Sequence, residues 1–254
     1  MTEKLFYDVR GTGPGLVLIH GTSSTGLGSW GTVLEDLAAR YTVILPNLPG
    51  SGDSPLPDEP LDVDTVADQI VAAAQDAGLE TFALAGASLG APIAIKVAAR
   101  HPERVSRLAT IVGFARPRPT LRMSLELWAA MVDGHDDNLG KLIVMLSFSD
   151  EFLAALPEEQ LQQVTATMTA DPAPGTAAQI DFGLRMDVRA DLAKIQIPTL
   201  VVSAAGDRFV PPAHSQEVAD GIPHARLVEV TGGHASIFED PQQTLSALLM
   251  FLNG

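Results

Sequence analysis

The stretch LAGASLGAPIA (84–94) sets the reading of the whole chain. Its first half closes an apolar run, TFALAGA (81–87), and its second opens a helical pattern, APIAIKVAARHPE (91–103), with Pro92 in a first turn where proline is tolerated. Between them, Gly86-Ala87-Ser88-Leu89-Gly90 places glycines two before and two after a serine. A strand-to-helix turn this tight needs small residues at both places and lifts the serine hydroxyl above the carboxyl end of the strand. The helix N-terminus behind it offers unpaired backbone N–H groups and a dipole that favours a developing oxyanion. Taken alone, the same letters also describe a glycine-rich turn with an incidental serine, so partners elsewhere must decide.

Outward from this turn the chain alternates. GLVLIHG (15–21), TVILPNL (42–48) and RLATIVGF (107–114) join 81–87 as short, largely β-branched runs, apolar on successive positions as in strands covered on both faces. TLVVSAA (199–205) and ARLVEVT (225–231) read as strands too, and FYDVRGTGP (6–14) as one antiparallel edge strand with a Gly/Pro turn. SWGTVLEDLAAR (29–40) puts Trp30, Val33, Leu34 and Leu37 on one helical face. DVDTVADQIVAAAQDAG (62–78), PAHSQEVADGI (212–222) and PQQTLSALLMFL (241–252) read as further helices. The predicted class is α/β: a mostly parallel central sheet of about seven strands flanked by helices. Between 115 and 191 the alternation stops, and LRMSLELWAAMV, LGKLIVMLSF and PEEQLQQVTATM are amphipathic helical patterns. The expected organisation is a core of 1–114 and 192–254 with a helical cap inserted at 115–191, hinged at ARPRPT (115–120) and VRADLAKIQIP (188–198).

Bulk properties narrow the function. The chain has 254 residues, 46% hydrophobic and 19% charged, enough for one large domain with a well-filled interior. A formal net charge of −15 argues against nucleic acid or an anionic membrane surface as partner, which leaves a small-molecule substrate. With no cysteine, disulfides and thiolate chemistry are excluded. The histidines lack ligand spacing and the acidic residues are dispersed, so no metal and no cofactor is expected, and the elbow has no lysine of a phosphate loop. The start MTEKLFYDVR has no apolar signal core, and no stretch reaches the roughly 18 apolar residues of a membrane span, so the expected compartment is the cytoplasm.

A serine nucleophile needs a base. His101 ends a helical pattern, His135 lies among acidic residues, and His214 and His224 flank a helix without an acid placed for a relay. His20 ends a buried strand and suits a structural hydrogen bond. His234, in VEVTGGHASIFEDP (228–241), follows the last strand in a glycine-led loop, at the sheet edge where ligand sites in open α/β sheets form. Asp207, in LVVSAAGDRFVPP (200–212), follows the preceding strand and can orient the imidazole. The other acid position, after 107–114, reads GFARP and offers no carboxylate.

Serine, acid and histidine in this order, each after its own strand, resemble the α/β-hydrolase fold family. The resemblance spans nearly the whole chain: the HG turn (20–21), PNLPGSGDS (46–54), the G-x-S-x-G elbow, the GDRFVP loop and the GGH loop. It implies Ser88 as nucleophile, His234 as general base and then acid, and Asp207 as orienter. It further implies an oxyanion hole from the backbone N–H groups of Leu89 and Thr22, with Ser23 an alternative to Thr22. The segment 115–191 matches the helical cap of many members.

A serine at the elbow points to acyl transfer to water, and the expected activity is that of a serine esterase or lactonase acting on a small, largely apolar substrate. HGTSSTGLGSW (20–30) is similar to the entry loop of carbon–carbon bond hydrolases, and the stretch 187–207 to small lactonases such as the 3-oxoadipate enol-lactonases. Carbon–carbon hydrolysis, acyl transfer, a cofactor-free cyclisation, or a ligand-binding receptor that keeps the triad remain open. The cap carries Leu125, Trp128, Met131, Met145, Phe148, Phe152, Phe182 and Met186, some of which should face the serine. Arg116, Arg118 and Arg122 read either as a solvated hinge or as contacts for a substrate carboxylate.

Overall fold

The computed structural model describes residues 3–169 and 172–254. The other four, 1, 2, 170 and 171, lie outside the described residues, so the first two residues of the expected core and a short piece of the expected insertion do too. A seven-stranded sheet runs in the order β1-β3-β2-β4-β5-β6-β7: β1 (Tyr7–Arg10), β2 (Gly15–Ile19), β3 (Thr42–Pro46), β4 (Phe82–Ala87), β5 (Val105–Ile111), β6 (Thr199–Ala204) and β7 (Arg226–Val230). Only β1 is antiparallel, pairing with β3 through Tyr7↔Pro46 to Arg10↔Val43. All other neighbours are parallel.

Alternate strand residues enter opposite apolar layers. Leu16 and Leu18 of β2 pack with α1 (Gly26–Ala38) and α12 (Pro241–Asn253), whereas Val17 and Ile19 pack with α2 (Val63–Asp76) and α3 (Gly90–Arg100). This double cover explains why the strands read as continuous apolar runs rather than alternating ones. The face of α1 predicted from its periodicity, Trp30, Val33, Leu34 and Leu37, is buried as expected. The helix starts three residues earlier than its pattern suggested. Thr25 caps it by accepting from Gly28, and Asn47 Oδ1 accepts the Gly26 N–H. A side chain at Gly26 would come within 2.6 Å of Leu45, so close packing on β3 explains a glycine that weakens the helical signal.

Between β5 and β6 the described residues hold only helices: α4 (Pro119–Asp133), α5 (Leu139–Ser147), α6 (Asp150–Ala155), α7 (Glu158–Thr169), α8 (Thr176–Arg185) and α9 (Arg189–Leu192). Leu121, Leu125, Trp128, Ile180, Phe182 and Met186 share one apolar cluster with Ile19, Leu84 and Leu89 of the sheet side. The chain then continues through α10 (Ala213–Gly221), β7, α11 (Ser236–Glu239) and α12. No helix among the described residues is long and apolar enough to cross a membrane.

Three strand ends fall short of the sequence pattern by more than one residue. The run 107–114 stops being strand at Ile111, because Val112 adopts φ +46° and turns the chain. A β-branched residue is rarely found in that left-handed region. The early end opens space at the carboxyl edge of β5, next to the turn at Ser88. Residues 20–21 and 47–48 likewise continue beyond their strands as loops.

Candidate active site

Ser88 sits at the end of β4 with φ +53°, and its N–H donates to Ile111 O at 3.0 Å. The glycines that frame it have direct steric causes. A Cβ on Gly86 would stand 2.1 Å from Gly90 O, and one on Gly90 would stand 2.4 Å from Ile19 O. Both obstacles are backbone, which cannot swing aside. The strained serine is therefore held by a turn that only glycine permits at these two positions. It points its hydroxyl into a cavity at the N-terminal end of α3.

The acid and histidine loops are positioned by extending the β6–β7 pairing beyond the strands. After Ala204↔Val230, Ala205 N–H donates to Val230 O and Gly206 N–H to Gly232 O, each at 2.9 Å. Asp207 and His234 consequently emerge side by side. His234 Nδ1 lies 2.8 Å from Asp207 Oδ2, and His234 Nε2 lies 2.9 Å from Ser88 Oγ. An ionised carboxylate only accepts, so Nδ1 carries the proton, Nε2 accepts, and the serine hydroxyl donates to it. Asp207 Oδ1 accepts from the N–H groups of Phe209 and Val210, and the Asp207 side chain is 1% exposed. The Phe209 ring meets the imidazole edge-on at 5.3 Å. The three residues singled out from the sequence are thus brought into one hydrogen-bonded line.

The candidate oxyanion donors are both at the cavity that Ser88 lines. Thr22 and Leu89 line the same cavity, and among the described residues no protein acceptor takes either N–H. Ser23, the alternative, is committed elsewhere: its N–H donates to Gln179 Oε1 at 2.9 Å. The Thr22 N–H belongs to the peptide whose carbonyl is Gly21 O, and that oxygen accepts from His20 Nδ1 at 2.7 Å. In a trans peptide the N–H points opposite to the C=O, so the buried imidazole aims the Thr22 donor. His20 Nε2 accepts from Leu48 N–H at 2.8 Å, which completes a neutral, doubly bonded ring. Burial pushes its pKa down to about 4. Gly21 also needs its small size here, since a Cβ would lie 3.1 Å from that of Ser88.

The remaining histidines take no part. His214 is buried, accepting from Arg118 N–H and donating to Pro211 O, and desolvation lowers its pKa. His101 pairs with Asp68 at a helix end, and His135 is exposed.

The cavity measures about 570 Å³. Leu121, Leu125 and Trp128 of α4, Ile143 of α5, and Val164 and Met168 of α7 form its outer walls, with Phe148, Phe209, Val210 and Ile237 beside the triad. No Asp, Glu, Lys or Arg is among the described residues that line it. Of the expected apolar residues, Leu125, Trp128 and Phe148 face it; Phe182 and Met186 are core, Met145 is exposed, and Phe152 stacks on Phe148. None of the three hinge arginines lines the cavity. Arg116 and Arg118 approach Glu217 at 3.5 and 3.8 Å, and Arg122 approaches Glu126. All three therefore lie outside the cavity at Ser88.

Two polar groups that bind the site to the inserted helices went unremarked in the sequence. Gln179 falls in none of the helical patterns quoted for 115–191, and Glu239 falls in the stretch read as a loop; the structure places them in α8 and at the end of α11. Glu239 Oε1 accepts from the N–H groups of Ser149 and Gly233, and its Oε2 from the Ser149 hydroxyl. The Ala235 N–H donates to Ser147 O at 2.7 Å and Gly233 O accepts from Ser236 N–H at 3.0 Å, so both peptides flanking His234 are tied down.

Comparison with known proteins agrees with this architecture. The family model described as alpha/beta hydrolase fold matches residues 14–241. The chain is 31% identical over 251 residues to pyrrolizixenacetamide deacetylase of Xenorhabdus hominickii, covering 98% of this chain and 94% of that protein. It is 34% identical over 259 residues to the pimeloyl-[acyl-carrier protein] methyl ester esterase of Xanthomonas campestris pv. campestris (strain B100), covering 96% and 97%. Among solved structures, the enol-lactonase from Burkholderia xenovorans LB400 superposes with a TM-score of 0.87 at 23% identity, covering 98% and 96%, a likeness of fold. The sheet order, the turn at Ser88 and these matches lead to one conclusion: the chain belongs to the α/β-hydrolase fold family.

Proposed function

We propose that this protein is a serine hydrolase that cleaves small, uncharged, largely apolar esters or lactones through an acyl-enzyme, beneath a cap formed by the helices of 115–191. The observation that carries this reading is the Ser88–His234–Asp207 line, with links of 2.9 and 2.8 Å. Relatives named for removing an acetyl group from an acetamide and for cleaving a methyl ester agree with acyl transfer to water as the shared chemistry.

In the proposed reaction, Ser88 Oγ attacks the substrate carbonyl while its proton passes to His234 Nε2. The carbonyl oxygen gains negative charge and takes the N–H groups of Thr22 and Leu89, each such donor contributing roughly 3 kcal/mol to transition-state stability. Asp207 steadies the imidazolium through Nδ1. The tetrahedral adduct collapses, the bond to the leaving oxygen breaks, and that oxygen takes the proton from Nε2. A water then attacks the acyl-enzyme, gives its proton to Nε2, and a second collapse returns that proton to Ser88 and frees the acid. A lactone follows the same steps with the leaving oxygen tethered to the acyl group.

The wall of the cavity selects for the uncharged substrate. An ion entering a site without counter-charge loses hydration that nothing there replaces. The test is Ser88→Ala, assayed with short-chain aryl esters. Turnover should fall by about a thousandfold or more, with the fold retained by circular dichroism. Turnover near the wild-type value in the folded variant would sink the acyl-enzyme reading. Wild-type turnover at background, with a ligand-dependent conformational change instead, would favour a receptor.

A further inference from the structure

We propose that Gln179, a residue of the inserted helix α8 that does not line the cavity, is the positioning residue of the oxyanion loop, an inference that rests on the serine-hydrolase reading. Its side chain is 1% exposed and fully used. Oε1 accepts the Ser23 N–H at 2.9 Å, while Nε2 donates to Pro49 O at 3.0 Å and to Ser51 Oγ at 2.8 Å. One amide thus joins the loop after β2 to the loop after β3, from a third element between β5 and β6.

Thr22 is held from both sides. His20 fixes the peptide that carries the Thr22 N–H, and Gln179 fixes the following peptide, that of Ser23. Ser23 has φ +57°, a conformation costly for a residue with a side chain and stable only where neighbours impose it. Two neighbours do: Gln179 on its N–H, and Thr176 Oγ1, 2.8 Å from its hydroxyl. Both lie on α8. The same grip occupies the Ser23 N–H, whereas that of Thr22, which lines the cavity with Ser88, has no protein acceptor among the described residues. The helix itself is seated by a close backbone contact, where Gly175 N–H donates to Gly50 O and a Cβ on either glycine would meet the other's backbone. The cap therefore does more than cover the cavity: it completes the oxyanion hole.

A role confined to packing would lower stability and leave the chemistry of each folded molecule alone. The proposal requires a loss specific to the charged, tetrahedral state. The discriminating probe is hexylboronic acid, whose boron takes Ser88 Oγ as a fourth substituent while the serine proton passes to His234, compared with hexan-1-ol, which fills the cavity without that charge. In Gln179→Ala the boronate affinity should fall about tenfold or more and the hexanol affinity stay within twofold. With an aryl ester, kcat per titrated active site should fall in parallel and KM should not. Gln179→Glu keeps the acceptor for Ser23 and loses both donors, and should show an intermediate loss at equal side-chain volume; it decides the matter if Gln179→Ala does not fold. Unchanged boronate preference in a folded variant, or equal losses for boronate and hexanol, overturns the proposal and leaves the hydrolase reading standing. If wild type binds the boronate no better than Ser88→Ala does, both readings fall together.

Discussion

Asp207 holds His234 with one oxygen, Oδ2 at 2.8 Å from Nδ1, because the other, Oδ1, is taken by the N–H groups of Phe209 and Val210 at 2.9 and 2.8 Å. The carboxylate is oriented by its own loop before it meets the imidazole. Its two oxygens therefore have separate partners, one its own loop and one the imidazole.

Asp207→Asn separates them. The amide oxygen can replace Oδ1, so the loop should keep its turn and the melting temperature should move little. The amide nitrogen then faces Nδ1 and favours the tautomer that carries its proton on Nε2, where it cannot accept from Ser88. Ester turnover should drop by about 10⁴-fold, as for the equivalent change in a serine protease. A loss below tenfold in steady-state kinetics would count against the relay.

Glu239 makes a second prediction, at the other side of the histidine loop. Its carboxylate receives Gly233 N–H, one residue before His234, and both polar groups of Ser149. Removing an acceptor of several hydrogen bonds at a partly buried site costs about 1.5–3 kcal/mol. Glu239→Ala should lower thermal stability accordingly and lower kcat as the imidazole loosens. Glu239→Gln, which keeps one acceptor oxygen, should recover part of both. Wild-type kcat in Glu239→Ala would remove it from the positioning of His234.

The pH dependence of stability has a histidine component. His20 is held neutral by burial, with a pKa of about 4 against 6.5 when exposed, and His214 is lowered in the same direction. The unfolded chain therefore binds more protons than the native one between pH 6.5 and 4. The contribution of His20 is complete above pH 6.5 and lost as pH falls through that window, and His214 adds to it in the same direction. For His20 it amounts to about 3 kcal/mol. Asp68, held down to about 2 mainly by the Arg100 hydrogen bond, contributes above its unfolded pKa and loses that contribution only between about pH 3.8 and 2. Urea unfolding at pH 7.5 and 4.5 should show the difference, and His20→Gln should be less stable at pH 7.5 but lose less on acidification. Equal acid losses in the two proteins would refute the assignment.

The uncharged cavity predicts selectivity between matched substrates. Leu121, Leu125, Trp128 and Met168 offer only apolar surface where an acyl chain would extend. The aryl ester of hexanoic acid should outperform the mono-aryl ester of adipic acid by about a hundredfold or more in kcat/KM, the cost of desolvating a carboxylate without a partner. Comparable values would mean that a cation reaches the substrate in solution.

The local sequence by itself determined the sheet, its helices and the three candidate side chains that the fold brings together. Those features depend on neighbours in the chain: an apolar run, a helical period, and glycines that a turn cannot replace. Gly86 and Gly90 announced the turn because any side chain there would strike backbone. Asp207 and His234 were legible because each follows its own strand, and parallel pairing carries both to one edge. The pattern could not show where strand β5 would stop, since φ at Val112 is imposed by its surroundings. Nor could it show that Gln179 holds Ser23, or that Glu239 joins Gly233 to Ser149, 156, 6 and 90 residues apart respectively. A polar residue on an amphipathic helix reads the same whether it meets water or a buried peptide N–H. Only the docking of the inserted helices on the sheet distinguishes the two, because the hydrogen-bond partner comes from a distant part of the chain.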